Sequence, residues 1–189
     1  MSIDAFKKPA RDLEDIAVDM LKDVPVPAFV VGGLTHDDPT VQHLLELLQA
    51  EYVGLYGLTD PDPSADLHTA VQPEGDILLL FPNVLKAEAA GIVAWTRLEG
   101  TEDVAVMHRM YVHFAHRGHD YSKALLASVE SSARRAGMRR MVLETGTAQT
   151  VAINLYRGAR YEDTEPFGFY ATGAAADWTT SLFMGKDLV

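Results

Sequence analysis

Residues 107–126 read MHRMYVHFAHRGHDYSKALL. The run Met107–Val112 has strand character, the next residues form a loop, and a helix is predicted from Ser122 onward. A loop that leads a chain into a helix start presents backbone N–H groups that no helical turn has yet used, which is where a phosphate is held. Asp120 stands in the middle of that loop. An aspartate immediately before a helix is a good N-cap, so its carboxylate is expected to take the same N–H groups that an anion would want.

Working outward, Leu125, Val129, Ala133 and Ala136 recur at helical spacing, Glu130 and Arg134 form an i,i+4 pair, and Gly137 supplies the helix end. RRMVLET (139–145) reads as a buried strand and AQTVAINLYRGA (148–159) as a second helix. A loop holding PFGFY (166–170) leads to a last strand, TTSLFMGKDL (179–188). Upstream, GIVAWTRLEG and DVAVMHRMYVHF read as two long strands joined at LEGTED, and DILLLF as a shorter one. Residues 57–75 are loop-like, with three prolines and several acids. Before them a helix starts at Asp38 (N-cap) and Pro39, with a stripe of Val41, Leu44, Leu45, Leu48, Tyr52 and Leu55. AFVVGGL (28–34) reads as the first strand. Leu13, Ile16, Ala17, Met20 and Leu21 share a stripe, so residues 9–22 are predicted as an amphipathic helix that the prolines of VPVP end. The order β-α-β-β-β-α-β-α-β predicts an α/β fold with a mixed sheet over residues 25–189, preceded by a helical extension over 1–24.

Composition narrows the function. The chain has 189 residues, 48% of them hydrophobic, enough for one core. It has no cysteine, which excludes a disulfide scaffold, a thiolate metal site and a cysteine nucleophile. The net charge of −11 repels nucleic acid and anionic membranes, so neither is an expected partner. The N-terminus has no apolar signal core, and the longest apolar stretch, ILLLF at 77–81, is far too short to cross a bilayer, so a cytoplasmic location is expected. His113, His116 and His119 lie three apart, but on a strand end and a loop, where their rings need not converge, so no metal is expected.

The segment 107–170 carries a family likeness. RMYV (109–112), RGHDYSKALL (117–126), LETG (143–146), AINLYRGARY (152–161) and FGFY (167–170) resemble, in order and spacing, motifs of the GNAT superfamily of N-acetyltransferases. The resemblance covers about residues 26–188 and implies acetyl-CoA as co-substrate and a small-molecule or amino-acid-like amine as acceptor, attacking the thioester directly. It places the pantetheine beside Met110, Tyr111 and Val112, and the pyrophosphate on the loop Arg117, Gly118, His119, Asp120, Tyr121, Ser122 and Lys123, with Asn154 also at the cofactor. It gives Tyr156 the role of protonating the leaving thiolate, Glu144 that of base, and leaves room for a homodimer. His108, on the strand that approaches the thioester, is a second titratable candidate; Asp60, Asp62, Asp66 and His68 are candidates for the acceptor mouth. Four positions depart from the pattern: Asp120 and Ser122 replace small residues, Val106 stands where a glutamate is frequent, and Arg160 stands where glycine is usual. These departures carry the alternative reading, a GNAT-fold protein without acetyl-CoA that serves as a binding or regulatory module or runs another reaction.

Overall fold

The computed structural model describes residues 28–57, 64–82, 88–172 and 178–188. The predicted N-terminal helix, with Asp60 and Asp62, lies outside them. The strands are β1 (Phe29–Val31), β2 (Gly75–Phe81), β3 (Gly91–Arg97), β4 (Val104–Val112), β5 (Arg140–Gly146), β6 (Glu162–Asp163) and β7 (Ser181–Asp187); the helices are α1 (Pro39–Tyr56), α2 (Tyr121–Arg135), α3 (Thr150–Gly158) and the single turn α4 (Phe169–Thr172). The expected order holds, with the two-residue β6 added at the edge.

One seven-stranded sheet runs β1-β2-β3-β4-β5-β7-β6. Every pairing is antiparallel except β4 with β5. The sheet is covered on both faces, which is why its central strands are continuous apolar runs. Ile77, Leu79, Ile92 and Ala94 face the buried stripe Val41, Leu44, Leu45 and Leu48 of α1. Leu78, Leu80, Val93 and Trp95 face Leu125, Leu126 and Val129 of α2.

The helix ends follow from their residues. Asp38 Oδ1 accepts from the N–H groups of Thr40 (2.8 Å) and Val41 (3.3 Å), as its N-cap position requires. After α2, Gly137 at φ +91° donates to Arg134 O and Met138 N–H donates to Ala133 O, a Schellman turn that sends the chain straight into β5.

β4 holds the feature that builds the site. Ile92 pairs with Tyr111 and Ala94 with His108, so Val93 faces two residues, Arg109 and Met110. This is a β-bulge, and Arg109 adopts φ +52° within it. One extra residue reverses the alternation. Ala105 and Met107 point to the α2 face before the bulge; after it, Met110 and Val112 take that face and Tyr111 turns to α1. β5 pairs with β4 only from Val104/Arg140 to Val106/Val142. Beyond that point β4 continues with β3 and β5 with β7, so the two parallel strands part.

Candidate active site

A cavity of about 400 Å³ opens where β4 and β5 part. Its walls come from the end of β4 (Met110, Tyr111, Val112), the following loop (His116, Arg117, Gly118), the start of α2 (Asp120, Tyr121, Ser122), the last turns of α1, and residues 148–156 of α3 and its approach. Most of the predicted site residues are therefore gathered here. Lys123 and Asn154 line a neighbouring cavity between α2 and α3, with Leu126, Glu130 and Lys186. His119 lines neither; its ring lies 5.5 Å from that of Tyr121. His113 packs against Phe114 and His116.

The expected N-cap at Asp120 is not formed. Asp120 sits at the cap position with φ +59°, and its side chain makes no capping hydrogen bond. In this left-handed conformation the carboxylate turns to Lys123 Nζ at 2.8 Å, and that hydrogen bond holds its pKa below the usual value. The cause is local: the αL backbone that lets the loop enter α2 swings the side chain off the helix axis, and an exposed lysine one turn on takes it. The first N–H groups of α2 thus stay uncapped by Asp120. Asp120→Gly is accordingly expected to change acetyl-CoA affinity by less than about tenfold, because an exposed, lysine-paired charge is largely screened. Glycine also suits the positive φ, so the melting temperature should hold or rise. Calorimetric titration of wild type and variant checks this; a gain of a hundredfold or more would show that the carboxylate does compete for the helix start.

The loop itself is clamped. Arg117 donates to Val112 O through Nε (3.0 Å), pairs with Glu51 of α1 (2.5 Å), and its guanidinium lies 5.8 Å from the Tyr111 ring centre. Gly118, at φ +83°, makes the turn that follows. α1 is held over the end of β5 by a close approach at Gly146, where any Cβ would overlap the Tyr56 hydroxyl.

Tyr156 is buried on α3, and its hydroxyl donates to Met110 Sδ at 3.6 Å, joining α3 to the part of β4 that β5 does not pair. Burial, with the nearby Tyr52 and Glu144, drives its pKa far above that of a free phenol. It is a protonated donor throughout the working pH range. Glu144, half-buried on β5, has its pKa raised by burial, against the opposing effects of a hydrogen bond from Ser181 and the charge of Arg109. Arg140, at the other end of β5, donates to Asp187 Oδ1 at 2.7 Å.

The expectation that His108 titrates near neutrality is corrected. Burial lowers its pKa to about 4. The ring is held between Thr96 Oγ1 (2.8 Å from Nε2) and Asp66 Oδ2 (3.8 Å from Nδ1). It is neutral at pH 7 and a weak base.

Sequence reasoning missed two contributors. The α1 stripe reads as core throughout, yet its last turns, with Glu51, Tyr52 and Leu55, form a wall of the cavity. Arg109 carried no role in the sequence; here it is the centre of a polar group described below. The signal for α1 was Leu55, which extends the apolar stripe past the sheet and is 49% exposed. The bulge at Arg109 has no sequence signal, since arginine rarely adopts a positive φ.

The parted parallel strands, the clamped loop and the helix start that Asp120 leaves uncapped meet around one cavity. Residues 41–159 match the Acetyltransferase (GNAT) family, and the chain belongs to that family of transferase enzymes. An 80-residue stretch is 40% identical to an IAA acetyltransferase of Azospirillum brasilense, covering 42% of this chain and 49% of that protein. The chain thus aligns with about half the length of that relative. Among solved structures, a protein assigned as an acyl-CoA N-acyltransferase from Klebsiella pneumoniae superposes with TM-score 0.68 at 26% identity, over 86% of this chain and 98% of that one. A protein assigned as an acetyltransferase from Salmonella typhimurium, solved with its cofactor acetyl-CoA, shares the fold at TM-score 0.59 and 18% identity, over 85% and 95% of the two chains. No helix among the described residues is long and apolar enough to cross a membrane.

Proposed function

We propose that this protein is an N-acetyltransferase that moves the acetyl group of acetyl-CoA to a small amine by direct attack. The observation that carries this reading is the parting of β4 from β5, with the Tyr156 hydroxyl on Met110 of the freed part of β4 and the start of α2, which Asp120 leaves uncapped, on the same cavity. The residues fit the co-substrate. Strand β4 beyond Val106 has a backbone edge that β5 does not pair, which suits the amides of a pantetheine arm. Met110, Val112, Ala152 and Leu155 supply apolar wall, and the N–H groups of Tyr121, Ser122 and Lys123 suit a pyrophosphate.

Acetyl-CoA supplies the acetyl group as an activated thioester. Tyr156, kept protonated by burial, gives its phenolic proton to the departing sulfur and is reprotonated, directly or through water, by the proton that the attacking nitrogen loses as the amide forms. Glu144 removes a proton from the acceptor amine, directly or through water, because a protonated amine has no lone pair to attack with. Its raised pKa sets the pH dependence: the active form is the carboxylate, so kcat/KM falls as acid protonates it, along a limb whose midpoint lies above the usual glutamate value. Glu144→Gln is expected to lower kcat/KM by about 10²-fold or more and to abolish that limb. A pH–rate profile that keeps its acidic limb in the variant assigns the base elsewhere.

The deciding experiment is titration with acetyl-CoA followed by a thiol-release assay over a panel of amines. Micromolar binding with amine-dependent CoA release is expected. Absence of binding at millimolar acetyl-CoA would instead support the non-catalytic binding module.

A further inference from the structure

Arg109 lies at the meeting point of five elements. Its Nη2 donates to Asp66 Oδ2 at 2.9 Å, from the turn Ala65–Leu67. Its charge acts on Tyr52 of α1, His108 of β4, Glu144 of β5 and Tyr170 of α4. Tyr52 and Glu144 also act on Tyr156. Glu144 is the base assigned above, so on the acetyltransferase reading the acceptor meets the thioester beside this group.

Two features make Arg109 more than a structural ion pair. First, its backbone is held at φ +52°, a strained conformation for a non-glycine residue. The Arg109 side chain is only 14% exposed. Second, in its pair with Asp66 the carboxylate is the more exposed side, at 48% on a short turn. A buried guanidinium requires an anion close by. A carboxylate that enters from solvent can take the place of Asp66 without leaving the charge uncompensated, and the forked N–H donors of arginine match a carboxylate in two-point fashion.

Resting on the acetyltransferase reading, we infer that Arg109 is the acceptor's carboxylate anchor, exchanging Asp66 for the substrate, so that the acceptor is an α-amino acid or a similar amine bearing a carboxylate close to its nitrogen. Glu144 is then placed to receive the ammonium end, while Tyr52 and Tyr170 flank the side chain. A carboxylate-free amine leaves Arg109 with Asp66 and gains nothing from the fork.

The test compares matched acceptors on the full-length protein: the proteinogenic L-α-amino acids against the corresponding amino-acid amides, with acetyl-CoA and a thiol-release readout. The acids are expected to be used, with the matching amides about 10²-fold or more lower in kcat/KM, as a site built to bond one polar group rejects the analogue lacking it. Arg109→Gln should bring acids and amides within several-fold of each other, through a higher KM for the acids. Arg109→Lys, which keeps the charge and loses the fork, should fall between. Asp66→Asn should lower the KM for the acids, because their competitor is gone. The wild-type comparison needs no variant to fold. Equal use of amides and acids, use of carboxylate-free amines alone, or no use of either series by protein that binds acetyl-CoA would each overturn the assignment. Failure to bind acetyl-CoA at all would overturn the acetyltransferase reading instead.

Discussion

Tyr156→Phe is expected to lower kcat by about 10²–10⁴-fold while leaving acetyl-CoA affinity within a few-fold of wild type. The split follows from where the hydroxyl acts. Among the described residues it bonds the Met110 sulfur, at 3.6 Å, a weak acceptor whose loss costs little. The ring packs in the core beside Tyr161, and phenylalanine fills the same space. What disappears is a proton donor that burial keeps fully protonated, and it is needed only as the thiolate leaves. Single-turnover rates and calorimetric affinities measured on one preparation check both halves. Wild-type turnover would reduce Tyr156 to packing. A parallel loss of acetyl-CoA affinity would place its hydroxyl in ground-state binding.

Glu130→Gln is expected to cost about 3–5 kcal/mol of stability, the range for breaking a buried ion pair by removing one partner. Glu130 is buried on α2. Its carboxylate oxygens lie 2.7 and 2.9 Å from Lys186 Nζ, on β7, and Oε2 lies 3.1 Å from Arg134 Nη2. The ammonium also sits 5.5 Å from the Tyr161 ring centre. This cluster ties α2 to the far strand of the sheet. The amide keeps the shape but leaves a lysine that is 21% exposed without its counter-charge. Arg134→Gln removes the more exposed partner and should cost about 1 kcal/mol or less. Glu130→Leu combined with Lys186→Met should recover most of the loss, since an apolar pair of similar volume carries no desolvation penalty. Urea unfolding of the four proteins measures this. A loss below about 1 kcal/mol in Glu130→Gln would show that the cluster holds nothing together.

The i,i+4 pair Glu130 and Arg134 was legible in the sequence, but its burial was not. Helical spacing identifies neighbours on one helix; it does not say that β7 crosses that face and brings Lys186, whose sequence separation from Glu130 is 56 residues. Asp120 taught the same lesson in reverse. Its position before a helix was read correctly, and the cap that position suggests failed, because the side chain's direction depends on a φ of +59° that the residue type does not specify.

The sequence by itself determined the order of the main elements, the caps at Asp38 and Gly137, and membership of the GNAT family. These rest on local periodicity, on turn and cap chemistry, and on motif spacing, all of which act within a few residues along the chain. Only the tertiary structure decided the site. Pairing of β4 with β3 at a register one residue out of step forced Arg109 into the left-handed region, turned Met110 and Val112 to the face that Met107 had held, and let β5 part from β4 at Val106. Such a bulge is a property of two strands and the layers that cover them, chosen because burying both sets of apolar side chains outweighs one strained residue, and no single strand carries it.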